Sequence, residues 1–206
     1  MSLDQKLAAG LEQLGLGLSE AQQRRLLDYV TLLQKWNKVY NLTAVREPEN
    51  MLYQHLLDSL AVLPHVGEGR LLDVGSGAGL PGIPLAIADP ALRITLLDSN
   101  HKKSAFQRQA AIELGLGNVA VECVRVDDYQ PQQPFDKVIS RAFSDLSEFV
   151  RLTARLCRQG GELLAMKGVY PHDELAQLPP EFRQSEVVAL NVPGLEAQRH
   201  LVIIRV

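Results

Sequence analysis

Three glycines spaced by single residues, Gly75, Gly77 and Gly79, stand between two acids, Asp73 and Asp98. The surrounding stretch reads RLLDVGSGAGLPGIPLAIA over residues 70–88: an apolar run ends in an acid, breaks into glycines and resumes with helical spacing. A loop of this kind brings bare backbone against a ligand. Two templates fit it. Read from Gly77, GAGLPG matches G-x-G-x-x-G, and Asp98 follows about 20 residues later, the spacing of a dinucleotide site. Read from Asp73, the pattern is acid-x-G-x-G-x-G. The two imply ligands of opposite charge. A pyrophosphate seeks free backbone N–H groups at a helix start, where a neighbouring carboxylate is unhelpful. A ligand carrying cations is served by that same carboxylate.

The second pattern resembles motif I of the S-adenosylmethionine-dependent methyltransferases. That donor has no phosphate and carries an ammonium and a sulfonium. Asp73 is therefore expected beside the cationic portion, with Gly75, Gly77 and Gly79 forming the turn. Asp98 ends the apolar run ITLL, where a carboxylate can accept from both ribose hydroxyls; its plain alternative is a strand-end acid capping the helix that follows. Asp127 and Asp128 follow a third run, and one of them, with Val126, is expected to border the adenine; for Asp128 a solvated acid is nearly as good a reading.

The fourth run ends in Ser140-Arg141-Ala142-Phe143, beside the expected methyl position. There is no Asn/Asp-Pro-Pro-aromatic box for an exocyclic amine. Cys123 is placed in a strand and Cys157 late in a helix, so both read as small apolar fillers, not cytosine nucleophiles. A nucleophile with a ready lone pair and no proton to lose, such as guanine N7, needs neither device. It needs alignment and a suitable electrostatic setting. The lack of a general base is equally compatible with small-molecule methylation.

These side chains must be held by a scaffold whose outline is legible. Residues 1–66 read as a helical extension. Ser19 and Gln22 stand at capping-box spacing ahead of Leu26, Leu27, Val30 and Leu33. A second helix is expected through ENMLYQHLLDSLAVL, with Pro48 near its start and Leu52, Leu56, Leu60 and Leu63 aligned. From Leu71 short apolar runs alternate with helical segments, which implies a mainly parallel, doubly wound sheet over residues 67–206. The last two runs are joined by PGLEAQR, too short for a helical crossover, so they should pair antiparallel. That ending matches a methyltransferase sheet and not a dinucleotide-binding one.

The composition excludes less. The chain has 46% hydrophobic and 22% charged residues, two cysteines and a net charge of −3. Neither a disulfide framework nor a zinc site is supported. No stretch has the apolar length of a membrane span, and the N-terminus lacks a secretory or transit pattern, so a cytoplasmic protein is expected; its oligomeric state stays open, with a monomer favoured. A protein gripping free duplex would usually be basic.

LLQKWNKVYNLTAVRE, HLLDSL, DVGSGAGLPGIPLAI, LLDSNHKK, FDKVISRAF, MKG and QRHLVII, in this order over nearly the whole chain, resemble the RsmG (GidB) family of bacterial methyltransferases that modify guanine N7 in 16S rRNA. The resemblance implies a class I methyltransferase fold, S-adenosylmethionine as donor, 16S rRNA or the small-subunit ribosomal particle as partner, and guanine-527 as target. Carried across by motif, cofactor contacts fall on Gly75, Leu80, Val126, Asp127 and Arg141. Arg141, Lys167 and Arg199 are expected to line the acceptor side. Lys35, Lys38 and Arg46, around Trp36, Tyr40 and Asn41, together with Lys102 and Lys103, are candidates for RNA contact. Trp36 also continues an apolar face and reads as core, and His55 and His65 read as structural or surface residues. For Arg141 a purely structural salt bridge is the less favoured use. A small-molecule methyltransferase, a nicotinamide-dependent oxidoreductase and a non-catalytic RNA-binding module remain as competitors.

Overall fold

The computed structural model describes residues 1–143 and 145–206. Seven strands form one sheet in the order β3-β2-β1-β4-β5-β7-β6. They are β1 (Arg70–Val74), β2 (Arg93–Leu97), β3 (Val119–Glu122), β4 (Phe135–Ser140), β5 (Cys157–Lys167), β6 (Ser185–Ala189) and β7 (His200–Arg205). Pairings among β1 to β5 are parallel, and β7 runs antiparallel to both β5 and β6. The expected terminal hairpin is present. Because β1 pairs with both β2 and β4, the chain reverses its winding at β1, and a crevice opens over the carboxyl ends of β1 and β4.

Strand alternation builds two cores. Leu71, Ile94, Leu96, Ile139, Leu164 and Leu201 face one side; Leu72, Leu97, Val138, Leu163 and Val202 face the other. The first side also buries α6 (Gly82–Ala88) and α7 (His101–Glu113), and the second buries α8 (Leu146–Thr153). The N-terminal helices α1 (Leu3–Gln13) and α2 (Glu20–Tyr40) join the first core through Leu7, Leu11, Leu26, Tyr29 and Leu33, all buried. The hydrophobic core is thus continuous across the boundary at residues 66 and 67.

The capping box at Ser19 and Gln22 forms, with Ser19 Oγ accepting from the Gln22 amide and Gln22 Oε1 accepting from the Ser19 amide. Gln22 does more: its Nε2 donates to the Ile87 and Ala88 carbonyls at 3.1 and 2.8 Å, closing the end of α6. The buried Tyr29 hydroxyl donates to the Ala78 carbonyl at 2.7 Å, so α2 also grips the glycine loop.

Two expectations need correction. The single helix expected over residues 49–63 is interrupted. A turn of α3 (Pro48–Met51) passes into a π-helix at Leu52–Leu57, then α4 (Asp58–Leu60) and, after a break, α5 (Leu63–Val66). Leu52, Leu56 and Leu60 stay buried, so the apolar stripe survives the wider turn. Cys157 is not in a helix: it is the first residue of β5, reached through a 3-10 turn at Ala154–Leu156. Its thiol is buried and pushed up to about 11 by desolvation, which suits a filler. Cys123 lies one residue past β3, with Sγ 3.2 Å from His101 Nδ1.

Candidate active site

The glycine loop is fastened from three sides. The Gly75 and Ser76 amides donate to the Leu97 carbonyl at 2.8 and 3.2 Å. Asp98, at the end of β2, accepts from the Gly77 amide through Oδ2 at 2.9 Å and from the Asn100 amide through Oδ1 at 2.8 Å. From α7, the buried Gln107 donates Nε2 to Ser76 Oγ and the Gly77 carbonyl at 2.9 and 2.7 Å. Gly75 has φ +69°, and a Cβ there would stand 2.7 Å from that of Ala142. The position needs glycine both for its backbone and for the approach of the β4 end.

Three hollows follow the crevice. The largest, about 340 Å³, is lined by His55, Asp58, Arg141, Lys167, Arg199 and His200, among others. The next, about 190 Å³, lies against Thr43, His55, Gly75, Gly77, Leu80 and Arg141. The third, about 130 Å³, is bounded by Gly75, Asp98, Val124, Val126, Ala142 and Phe143. His55 and Arg141 are shared by the first two, and Gly75 and Ala142 by the last two.

Of the residues expected around a donor, the structure brings Gly75, Gly77, Leu80, Asp98, Val126 and Arg141 to these hollows. Gly79, Asp127 and Asp73 do not line them. Asp127 is exposed and faces Arg125 at 3.6 Å. Asp73 is fully buried behind the loop, where Oδ2 accepts from the Gly82 amide at 2.8 Å and Oδ1 has no partner among the described residues. It therefore ties the loop to the start of α6 and acts on the crevice only through its field. Desolvation pushes its carboxyl up to about 7, against the pull of the Gly82 amide and Arg141.

The remaining polar lining suits an adenosyl amino acid. Val124, Val126 and Phe143 form an apolar slot beside Asp98, whose carboxylate oxygens retain lone pairs for a diol. Arg141 offers donors for an α-carboxylate, whereas the Gly75, Ser76 and Gly77 amides are taken by the Leu97 carbonyl and Asp98.

The acceptor-side cations are all engaged. Asp58, nearly inaccessible, accepts from Arg141 Nη1 through Oδ2 at 3.0 Å and from Arg199 Nε through Oδ1 at 2.8 Å. Arg141 is thus ion-paired, against the expectation that such a pairing was the less favoured use, yet the pair sits in the wall of the cavity. Lys167 pairs with Glu174 at 2.7 Å and donates to the Phe143 carbonyl at 3.2 Å. Three cations and two carboxylates leave this cluster with one net positive charge. His55 is buried, and desolvation followed by the Arg141 charge pushes its imidazole down to about 4.

A family model described as GidB, rRNA small subunit methyltransferase G, matches residues 22–202. The chain belongs to the rRNA small subunit methyltransferase G family. Relatives of that name from Laribacter hongkongensis and Nitrosospira multiformis are 59% and 57% identical, over 98% and 97% of this chain and 98% and 96% of theirs. The fold is shared with the O-methyltransferase TomG from Streptomyces achromogenes, solved in complex with SAM (TM-score 0.59, 16% identity, 100% of this chain and 99% of that one). The fold expected from the sequence, a class I methyltransferase sheet with helices ahead of it, is the one found.

Several outer candidates of this chain do ordinary structural work. Arg46 donates to the Asn37 carbonyl and Asn41 Oδ1 at 3.1 and 2.8 Å, closing the C-terminus of α2 around the left-handed Asn41. Trp36 packs between Tyr40 and Phe106 at 5.2 and 5.6 Å, the core role expected of it. Lys35, Lys38 and Lys102 are exposed. His65 is half-buried and offers its carbonyl to Lys137. Sequence reasoning missed Asp58 and His55. The signal for Asp58 was present: an acid among Leu56, Leu57 and Leu60 is tolerated in a core only with a cationic partner. His55 gave no such signal.

Proposed function

We propose that this protein transfers a methyl group from S-adenosylmethionine to N7 of a guanine in 16S rRNA of the small ribosomal subunit. The observation that carries the reading is the shared wall formed by His55 and Arg141 between a glycine-lined hollow and a larger cavity lined by Arg141, Lys167 and Arg199 with Asp58. Membership of the family supports rRNA as the acceptor. By this reading Gly75, Gly77, Leu80, Asp98, Val126 and Arg141 hold the donor, with Gly79 shaping the turn and Asp73 fixing the loop from behind, while Asp127 stands outside the hollows.

When bound, S-adenosylmethionine supplies an electrophilic methyl group. Guanine N7 brings its own lone pair and sheds no proton, so this chain provides no base. Its residues align and screen. Arg141, Arg199 and Lys167 line the acceptor cavity, where guanidinium and ammonium donors suit a nucleotide's carbonyl and phosphate oxygens. Asp58 and Glu174 moderate that charge as the purine becomes cationic. Residues 1–66 serve as an extension that supplies Thr43, His55 and Asp58 to a methyltransferase domain of residues 67–206. The enzyme works in the cytoplasm as a monomer; no helix of the described residues is long and apolar enough to cross a membrane.

The test is transfer of labelled methyl from S-adenosylmethionine to small subunits purified from a strain lacking the enzyme. Label in 16S rRNA is expected. Label on protein or small molecules alone contradicts the assignment.

A further inference from the structure

Arg141 is held by a chain of hydrogen bonds whose direction can be read. The π-helix at Leu52–Leu57 opens it. The Asp58 amide bonds to the Tyr53 and His55 carbonyls, so the Gln54 carbonyl does not take the α-helical bond from Asp58. That carbonyl instead lies 2.9 Å from His55 Nδ1 and 3.2 Å from Arg141 Nη1. A carbonyl only accepts, so Nδ1 carries a proton and donates. His55 Nε2 lies 2.8 Å from Thr43 Oγ1. Thr43 Oγ1 also accepts from the Val45 amide at 3.2 Å, which leaves its own hydrogen for His55 Nε2. The loop carrying both residues is pinned by the buried Asn37, which accepts from the Thr43 amide at 2.9 Å and donates to the Val45 carbonyl at 3.1 Å.

We infer that Thr43, His55 and the Gln54 carbonyl form a directional relay that positions Arg141 for the transfer reaction. Arg141 Nη1 is occupied by the Gln54 carbonyl and Asp58. Its Nε and Nη2 donors have no acceptor among the described residues, and Arg141 lines both the donor hollow and the acceptor cavity. Fixing one edge of the planar guanidinium sets the direction of the other. A neutral imidazole with its proton on Nδ1 suits this task, because a second cation there would repel Arg141. The π-helix thereby acquires a purpose: it releases one carbonyl from the helical ladder toward the active site. Thr43 and His55 are positioning residues here, acting through Arg141.

This inference rests on the methyl-transfer reading of the crevice, and its test separates the two. Thr43→Val keeps the shape but removes the hydroxyl, leaving His55 Nε2 without a donor; Thr43→Ser keeps the hydroxyl. With saturating S-adenosylmethionine and purified small subunits, Thr43→Val should lower kcat by roughly tenfold or more, the scale of an unpaired buried acceptor felt at a positioned group. The KM for subunits should stay within about twofold, and Thr43→Ser should restore most of kcat. Nitrogen NMR of the wild-type protein near neutral pH should show His55 protonated on Nδ1 alone, and Thr43→Val should shift the Arg141 side-chain resonance. Unchanged kcat in Thr43→Val, a Thr43→Ser as impaired as Thr43→Val, or an Nε2-protonated or doubly protonated His55 overturns the relay. If the wild-type enzyme methylates no rRNA, the functional reading fails, while the tautomer and the Arg141 resonance still decide the positioning. Should Thr43→Val not fold, the His55 tautomer of the wild-type protein still decides it.

Discussion

Two buried acids show how one residue type takes opposite roles according to its partners. Asp58 meets two guanidinium groups, whereas Asp73 meets one backbone amide and leaves Oδ1 bare. For Asp73 the sign of the linkage follows from its raised carboxyl, about 7 against an ordinary 3.8. Between those values the unfolded chain has released the proton and the folded protein retains it, so stability falls as pH rises. Wild-type protein should lose up to roughly 4 kcal/mol relative to Asp73→Asn between about pH 4 and pH 7. Denaturant unfolding of both proteins without ligand across that range checks it; parallel pH curves would contradict it. Asp58→Asn should cost about 2 kcal/mol of stability, because two partly exposed arginines lose their shared charge partner. It should also reduce methyl transfer by on the order of 100-fold, read as kcat/KM, through misplacement of Arg141 and Arg199.

At the scale of elements, what was legible followed from local chemistry. The Ser19–Gln22 capping box, the strand–helix alternation after Leu71 and the terminal hairpin each depend on residues near one another in sequence. The π-helix was not legible, because Arg141, which takes the carbonyl that the wider turn releases, lies 87 residues away in sequence. The second use of Gln22, on the carbonyls ending α6, was hidden for the same reason. Gln22→Ala should therefore cost more than a lost helix cap alone, about 2 kcal/mol in chemical denaturation. A loss below about 0.5 kcal/mol would show that the α2–α6 contact carries little. Cys157 was misplaced because LTARLC, residues 152–157, holds no glycine or proline to mark where α8 yields to β5.

At the scale of the whole molecule, the glycine loop told which class of ligand the crevice takes, but not which side chain aims at what. Asp73 was expected at the ligand's cationic end and lies behind the loop, since spacing along a strand does not reveal depth beneath a turn. The cations expected on the acceptor side do gather there, yet their carboxylate partners come from α4 and α9 (His172–Ala176), elements no motif connects to them. With a net charge of −3, the protein should hold naked 16S rRNA weakly. Lys35, Lys38, Lys102 and Lys103, with Arg141, Lys167 and Arg199 of the acceptor cavity, could contribute at most about seven phosphate contacts, so log K should fall with log salt at a slope no steeper than about −5. Filter binding at several salt concentrations measures this; a much steeper slope would point to a broader basic interface.

Methylation at guanine N7 of 16S rRNA without a general base leaves a distinct product. Nucleoside mass spectrometry of 16S rRNA from small subunits treated with enzyme and S-adenosylmethionine detects it. The expected product is 7-methylguanosine, about one per rRNA molecule, lost with Arg141→Ala. Methyl groups on an exocyclic amine, on cytosine C5 or on ribose, or an undiminished yield with Arg141→Ala, would contradict it.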